Sequence, residues 1–129
     1  MSHKFPIRVY YEDTDLAGIV YYANYLRFIE RARTEFVRER GGDQVALKDQ
    51  DGIVFAVRHL EADYLMPAKF DDELEVETSV EAITGVRLIM RQDVKRADAT
   101  LFSALVTLVC LTETGQPARL PANIRLSLH

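Results

Sequence analysis

Three carboxylates crowd the segment YYEDTDLAGIVYYANYL: Glu12, Asp13 and Asp15, followed by Gly18 and a run of apolar and aromatic residues. Acids placed there can do three kinds of work. They can be solvated loop residues that favour the positive end of a helix dipole. Two of them can act as a carboxylate pair on a glycosidic bond, although a chain without tryptophan is poorly equipped to line a sugar cleft. Or one carboxylate can face an electrophile held at a helix start. The first N–H groups of a helix have no internal partner. Aimed at a carbonyl, they polarise it and stabilise the oxyanion that develops. Gly18 lets the backbone bend sharply and approach a ligand. Ile19, Val20, Tyr21 and Tyr22 make the surroundings apolar, which strengthens electrostatic effects. A nearby aspartate could then attack the carbonyl or activate a water. Such a site suits a thioester, because a thiol of pKa roughly 8.5 leaves as its anion without a strong general acid.

Other chemistries find little support. Of three histidines, His3 and His129 stand at the ends and His59 stands alone in a strand, where a structural role is the plainer reading. No Ser–His–Asp or Cys–His arrangement suggests itself. No pair of histidines or cysteines has metal-ligand spacing, so no metal or cofactor is expected. Gly41-Gly42 fits no nucleotide-binding loop. The single cysteine, Cys110, sits in ALVTLVCLT and reads as a small core residue. A net charge of -4 argues against nucleic acid as a partner. No apolar run is long enough for a membrane span, and the first residues lack a secretory h-region. A cytoplasmic protein is the expectation.

The elements that must hold this junction fit one domain of 129 residues. FPIRVYY (Phe5–Tyr11) reads as a first strand. Tyr22 to Arg40 reads as the one long helix, with Tyr22, Tyr25, Leu26, Ile29, Ala32, Phe36 and Val37 on one face. Gly41-Gly42 stops it. A polar loop follows, then Ile53–Leu65 as a second strand. Glu73–Ile83 alternates, with Leu74, Val76, Thr78, Val80 and Ala82 on one side and glutamates opposite. Val86–Arg96 and Thr100–Thr112 complete the strands; the last is apolar on both faces, as a central strand would be. Pro121 to Leu128 reads as a short helix or turn. Consecutive hairpins imply an antiparallel sheet, and the helix must bury its apolar stripe against it.

The stretch YEDTDLAGIVYYANYLRFIERARTEF resembles the signature of the 4-hydroxybenzoyl-CoA thioesterase family, whose members have the hotdog fold. Within that family it is most similar to the short acyl-CoA thioesterases associated with the Tol–Pal system of Gram-negative bacteria. The pattern DxDxxGxVxYxxY runs from Asp13 to Tyr25. The resemblance implies an α+β domain in which a five-stranded antiparallel sheet wraps around one long central helix. It implies homodimers with composite sites, often paired into homotetramers, that hydrolyse short aliphatic or aromatic acyl-CoA, with acyl carrier protein as the other carrier. It assigns catalysis to Asp15, carbonyl polarisation to the Tyr22 backbone N–H, and the bend to Gly18. Close relatives often carry histidine where this chain has Tyr22.

Around these, Asp13 reads as a loop hydrogen-bonding residue and Asn24 as a residue that holds the turn or caps the helix. Glu30 reads as ion-paired with Arg27 or Arg33, and Tyr21, Tyr25 and Phe28 as core or interface. The pool for binding coenzyme A phosphates is Arg58, Arg87, Arg91, Lys95, Arg96 and Arg119; each alone reads as part of a solvated strand face. Three rivals share the fold: a non-catalytic acyl-thioester binding module, a dehydratase or hydratase needing a well-placed histidine, and an envelope scaffold protein.

Overall fold

Long runs of β-branched and aromatic residues build the sheet. Strands β1 (His3–Arg8), β2 (Ile53–Tyr64), β3 (Glu73–Ile83), β4 (Arg87–Arg96) and β5 (Ala99–Thr112) stand in the order β1-β3-β4-β5-β2, each pair antiparallel. A two-residue strand, β6 (Pro117–Ala118), adds to β5 at Cys110 and Leu111 and makes a sixth. The computed structural model describes residues 2–41 and 44–128, with Asn123 described by its backbone alone. Gly42, expected in the helix stop, and His129 lie outside the described residues.

Helix α1 (Asn24–Glu39) lies against the sheet. It buries Tyr25, Phe28, Ile29, Ala32, Phe36 and Val37, in a core shared with Leu74, Val76, Leu88, Met90, Val94, Phe102 and Val106. The expected α+β hotdog architecture is therefore present. β5 is interior, as its apolar faces suggested, though β4 holds the middle of the sheet.

The helix begins at Asn24, not Tyr22, because the Tyr21 N–H is tied to the Asp13 carbonyl and the Tyr21 carbonyl is taken by the Asn24 N–H. Tyr22 thus lies outside the stripe and is exposed; Leu26 is partly exposed, and Phe28 takes the buried place. β1 ends at Arg8, where Val9 exchanges backbone bonds with the loop at Asp71 and Asp72 instead. A bulge between Val80 and Ala82 turns Ala82 outward and packs Ile83 on the core. The polar loop is partly helical: α2 (Gln44–Ala46) runs into a π-helical turn, Leu47–Asp51, anchored by buried Leu47. The terminal segment forms helix α3 (Ala122–Leu128), which buries Ile124 and Leu128.

One polar network crosses the core. The Gln92 amide, fully buried on β4, donates to the Ile29 carbonyl (2.8 Å) and the Thr78 hydroxyl (3.0 Å) and accepts from the Arg33 guanidinium (2.9 Å). All of the amide's heavy atoms are thereby satisfied, as burial requires. Burial holds the Arg33 guanidinium below its ordinary pKa.

Candidate active site

The carboxylate cluster is built from the end of β1 outward. Tyr11–Asp13 form one turn of 3-10 helix. Asp13 is buried, and its carboxylate accepts the Tyr10 N–H (2.8 Å) and the Asn24 side-chain amide (2.9 Å). Its carbonyl accepts the Tyr21 N–H at 2.9 Å. One residue therefore joins the strand end, the turn and the helix start.

Residues 14–20 fold back as a small hairpin. Thr14 bridges to Val20, the Asp15 N–H donates to the Ile19 carbonyl (2.9 Å), and the Gly18 N–H donates to the Asp15 carbonyl (3.0 Å). This is a three-residue loop closed by a residue in the left-handed region, where Gly18 has φ +80°. The Asp15 carboxylate is exposed at its base and accepts the Ala17 N–H through Oδ1 (2.9 Å).

The far side of the hairpin is zipped to the loop before β3. The Val20 N–H donates to the Ala68 carbonyl (2.8 Å), and Ile19 bridges to Lys69. Asp72 ties that loop down, accepting the Lys69 N–H and the Arg96 guanidinium, each at 2.8 Å. Partial burial would raise the Asp72 carboxyl; the Lys69 N–H and Arg96 outweigh it and hold the group below its ordinary value.

At the helix start, the Asn24 N–H donates to the Tyr21 carbonyl (2.8 Å). That carbonyl and the Tyr22 N–H belong to one peptide and point in opposite directions. The Tyr22 N–H is therefore turned away from the helix, and it has no acceptor among the described residues. The Tyr22 carbonyl accepts the Tyr64 hydroxyl at 2.8 Å.

Beside these groups opens a cavity of about 440 Å³, lined by Asp15, Ile19, Val20, Tyr21, Tyr22, Tyr25, Tyr64, Leu65, Met66 and Pro67. Its inner wall is aromatic: Tyr25 stacks on Phe102 at 4.9 Å, and Tyr64 meets Phe102 edge-on at the same distance. The Tyr25 hydroxyl accepts the Ala68 N–H (3.0 Å). Burial pushes the Tyr25 and Tyr64 phenols above their ordinary values. A second depression of about 450 Å³ borders Asp15 on the other side, lined by Tyr11, Thr14, Leu16, Gly18 and Phe70.

Of the residues singled out in the sequence, Asp15 and Tyr22 share the first cavity; Gly18 lines the second and shapes the turn. Asp13 and Asn24 hold each other. Glu30 is not ion-paired with Arg27 or Arg33, because Arg33 turns inward to Gln92; Glu30 accepts the Thr34 hydroxyl instead (3.2 Å). In the basic pool, Arg91 pairs with Glu81, Lys95 with Glu77 and Arg96 with Asp72, whereas Arg58, Arg87 and Arg119 have no ion pair among the described residues. His59 is exposed beside a bulge in β2. Tyr64, Leu65 and Met66 escaped the sequence reading: only the curl of the sheet brings the end of β2 over a helix start some forty residues away.

The chain matches the Thioesterase superfamily family model over residues 17–103. It is 40% identical over 128 residues to the acyl-CoA thioesterase YbgC of Haemophilus influenzae, covering 98% of this chain and 93% of that protein. It is 41% identical over 123 residues to the acyl-CoA thioester hydrolase YbgC of Escherichia coli O6:H1, covering 94% and 91%. Its fold superposes on that of a 4-hydroxybenzoyl CoA thioesterase mutant in complex with 4-hydroxybenzoyl CoA, with a TM-score of 0.93 and 22% identity over 99% of both chains.

Proposed function

Because this chain belongs to the thioesterase superfamily and is a thioester hydrolase, we propose that it cleaves acyl-CoA with Asp15 as nucleophile or general base and the Tyr22 N–H as carbonyl-polarising donor. One observation carries the reading. The Asp15 carboxylate and the peptide bearing the free Tyr22 N–H border the same apolar cavity. A thioester carbonyl seated there accepts from Tyr22, and charge developing on its oxygen is stabilised by the helix start. Asp15 attacks the carbonyl carbon or takes a proton from an attacking water. The tetrahedral intermediate then expels coenzyme A as its thiolate; where water attacked, the free acid leaves directly, and where Asp15 attacked, a water hydrolyses the acyl-aspartyl anhydride and restores the carboxylate.

Short aliphatic and aromatic acyl groups suit a cavity walled by four tyrosines, Leu65 and Met66. Coenzyme A is the carrier proposed, with acyl carrier protein as the alternative. Self-association is part of the reading. Among the described residues β2 pairs with β5 alone, which leaves its other edge unpaired, and Val57, Leu60 and Tyr64 are exposed along it. An unpaired strand edge of that length, flanked by exposed apolar side chains, favours pairing with a second copy, giving a homodimer able to form a homotetramer; light scattering after gel filtration tests it.

The decisive variant is Asp15→Asn. Its side chain is exposed, and an asparagine oxygen can still accept the Ala17 N–H, so the fold should hold. Turnover of acyl-CoA should fall by about 10²–10⁴-fold. Near-wild-type turnover would overturn the assignment. Incorporation of solvent ¹⁸O into Asp15 during single turnover distinguishes nucleophile from base.

A further inference from the structure

The free Tyr22 N–H is useful only if its direction is fixed before substrate arrives, since preorganisation is what makes such donors effective. Two peptide planes meet at the Tyr22 Cα. The plane before it carries the donor and is anchored through the Tyr21 carbonyl by the Asn24 N–H (2.8 Å). The plane after it is anchored through the Tyr22 carbonyl, which accepts the Tyr64 hydroxyl (2.8 Å). The first anchor is local. The second comes from the far end of β2, 42 residues away in sequence.

The Tyr64 ring is itself well held. It meets Phe102 at 4.9 Å, Tyr25 at 5.5 Å and Tyr22 at 6.4 Å, all in edge-on contacts. Those contacts aim the hydroxyl, and the hydroxyl aims the peptide. A phenol is protonated through the neutral range, and partial desolvation of this half-exposed ring, with the neighbouring tyrosines, pushes it further the same way, so the hydroxyl remains a donor. Tyr64 also lines the cavity, so a ligand that seats there lies against the same ring.

We propose that Tyr64 is a positioning residue for the hydrolytic step: its hydroxyl locks the Tyr22 carbonyl, and with it the orientation of the adjacent Tyr22 N–H that polarises the thioester. The inference rests on the proposed role of that N–H. It makes a specific division of labour. The ring supports the cavity wall, and the hydroxyl sets the rate.

Tyr64→Phe separates the two. It keeps the aromatic contacts and deletes the bond to Tyr22. The expected result is a fall in kcat of about tenfold, the size of one lost net hydrogen bond, with KM within about twofold and an unchanged ring environment. Tyr64→Leu, which removes the ring as well, should also raise KM. The second readout is the carbonyl stretch of benzoyl-CoA labelled with ¹³C at the carbonyl, bound to Asp15→Asn protein so that it is not consumed. Polarisation lowers that frequency on binding, and adding Tyr64→Phe should remove part of the lowering. A residue that only packs would leave the frequency where it was. An unchanged kcat in Tyr64→Phe, or an unchanged carbonyl frequency in the double variant, overturns the inference. Failure of the underlying reading looks different: Asp15→Asn alone would stay active, or the bound carbonyl would show no lowering even with Tyr64 intact.

Discussion

The side-chain amide of Asn24 donates to the carboxylate of Asp13 over 2.9 Å, joining the first residue of α1 to the last residue of the turn before it. The same carboxylate accepts the Tyr10 N–H, so three segments meet on one buried side chain. Asp13→Ala would leave both donors without their acceptor. The expected cost is about 3 kcal/mol, seen as a lower urea midpoint and a melting temperature about 10 °C lower for a domain of this size. Asp13→Asn should fall between, because one amide oxygen cannot replace both carboxylate oxygens. A loss below about 0.5 kcal/mol for Asp13→Ala would remove this residue from the scaffold.

Gly18 supports the neighbouring hairpin by backbone conformation alone. Its φ is +80°, and a Cβ placed there would meet nothing within 4 Å. Gly18→Ala should therefore cost about 1–2 kcal/mol from the left-handed conformation, with no steric clash to add. Gly18→Asn should cost less, since asparagine tolerates that region. The Gly18 N–H bonds to the Asp15 carbonyl, so a shifted turn moves the carboxylate. Activity should follow the same order as stability, with glycine highest, asparagine next and alanine lowest. Thermal melts and steady-state rates on one acyl-CoA check both.

The strands and the long helix were legible because their periods are simple. Leu74, Val76 and Thr78 alternate, and Ile29, Ala32, Phe36 and Val37 recur at helical spacing. The chemical segment was legible because Asp15, Gly18 and Tyr22 lie within eight residues of one another. What sequence could not show was set by contacts between distant segments. Helix α1 starts at Asn24 because Asp13 and Tyr21 hold the chain out of the helix. The bulge after Val80 depends on pairing with β4 and flips Ala82 against its pattern. Arg33 looked like half of a surface ion pair at helical spacing, yet buried Gln92 turns it inward. Tyr64 reads as one more aromatic in a strand until the sheet curls it over Tyr22.

Acid should loosen the loop that carries one wall of the cavity. The Asp72 carboxyl lies below its ordinary value of 3.8 despite partial burial, through the Lys69 N–H and Arg96. A depressed carboxyl contributes stability that is complete above its unfolded pKa and is lost as pH falls through the folded one. Glu77, held down by Lys95, has the same sign. Unfolding free energy should therefore be level near neutrality and decline from about pH 4 downward. Asp72→Asn should lower the neutral plateau and flatten the acid decline. Urea titrations at a series of pH values would show it; parallel curves for the two proteins would exclude Asp72 as a contributor.

Cys110 lies on β5 facing the core, paired across the strands with Phe55 and Ala118. It is 2% exposed, and burial pushes its thiol up to about 11. At pH 8 roughly one molecule in a thousand carries the thiolate, the reactive form. Ellman's reagent should thus find no thiol in the native protein over minutes and one equivalent after guanidinium is added. The same reagent reports free coenzyme A, so colour released during acyl-CoA turnover should come from product alone. A fast equivalent from native protein without substrate would mean that β5 opens readily beside β6, and would contradict the packing described. Cys110→Ala should leave turnover unchanged and lower stability by about 1 kcal/mol through the small cavity it creates.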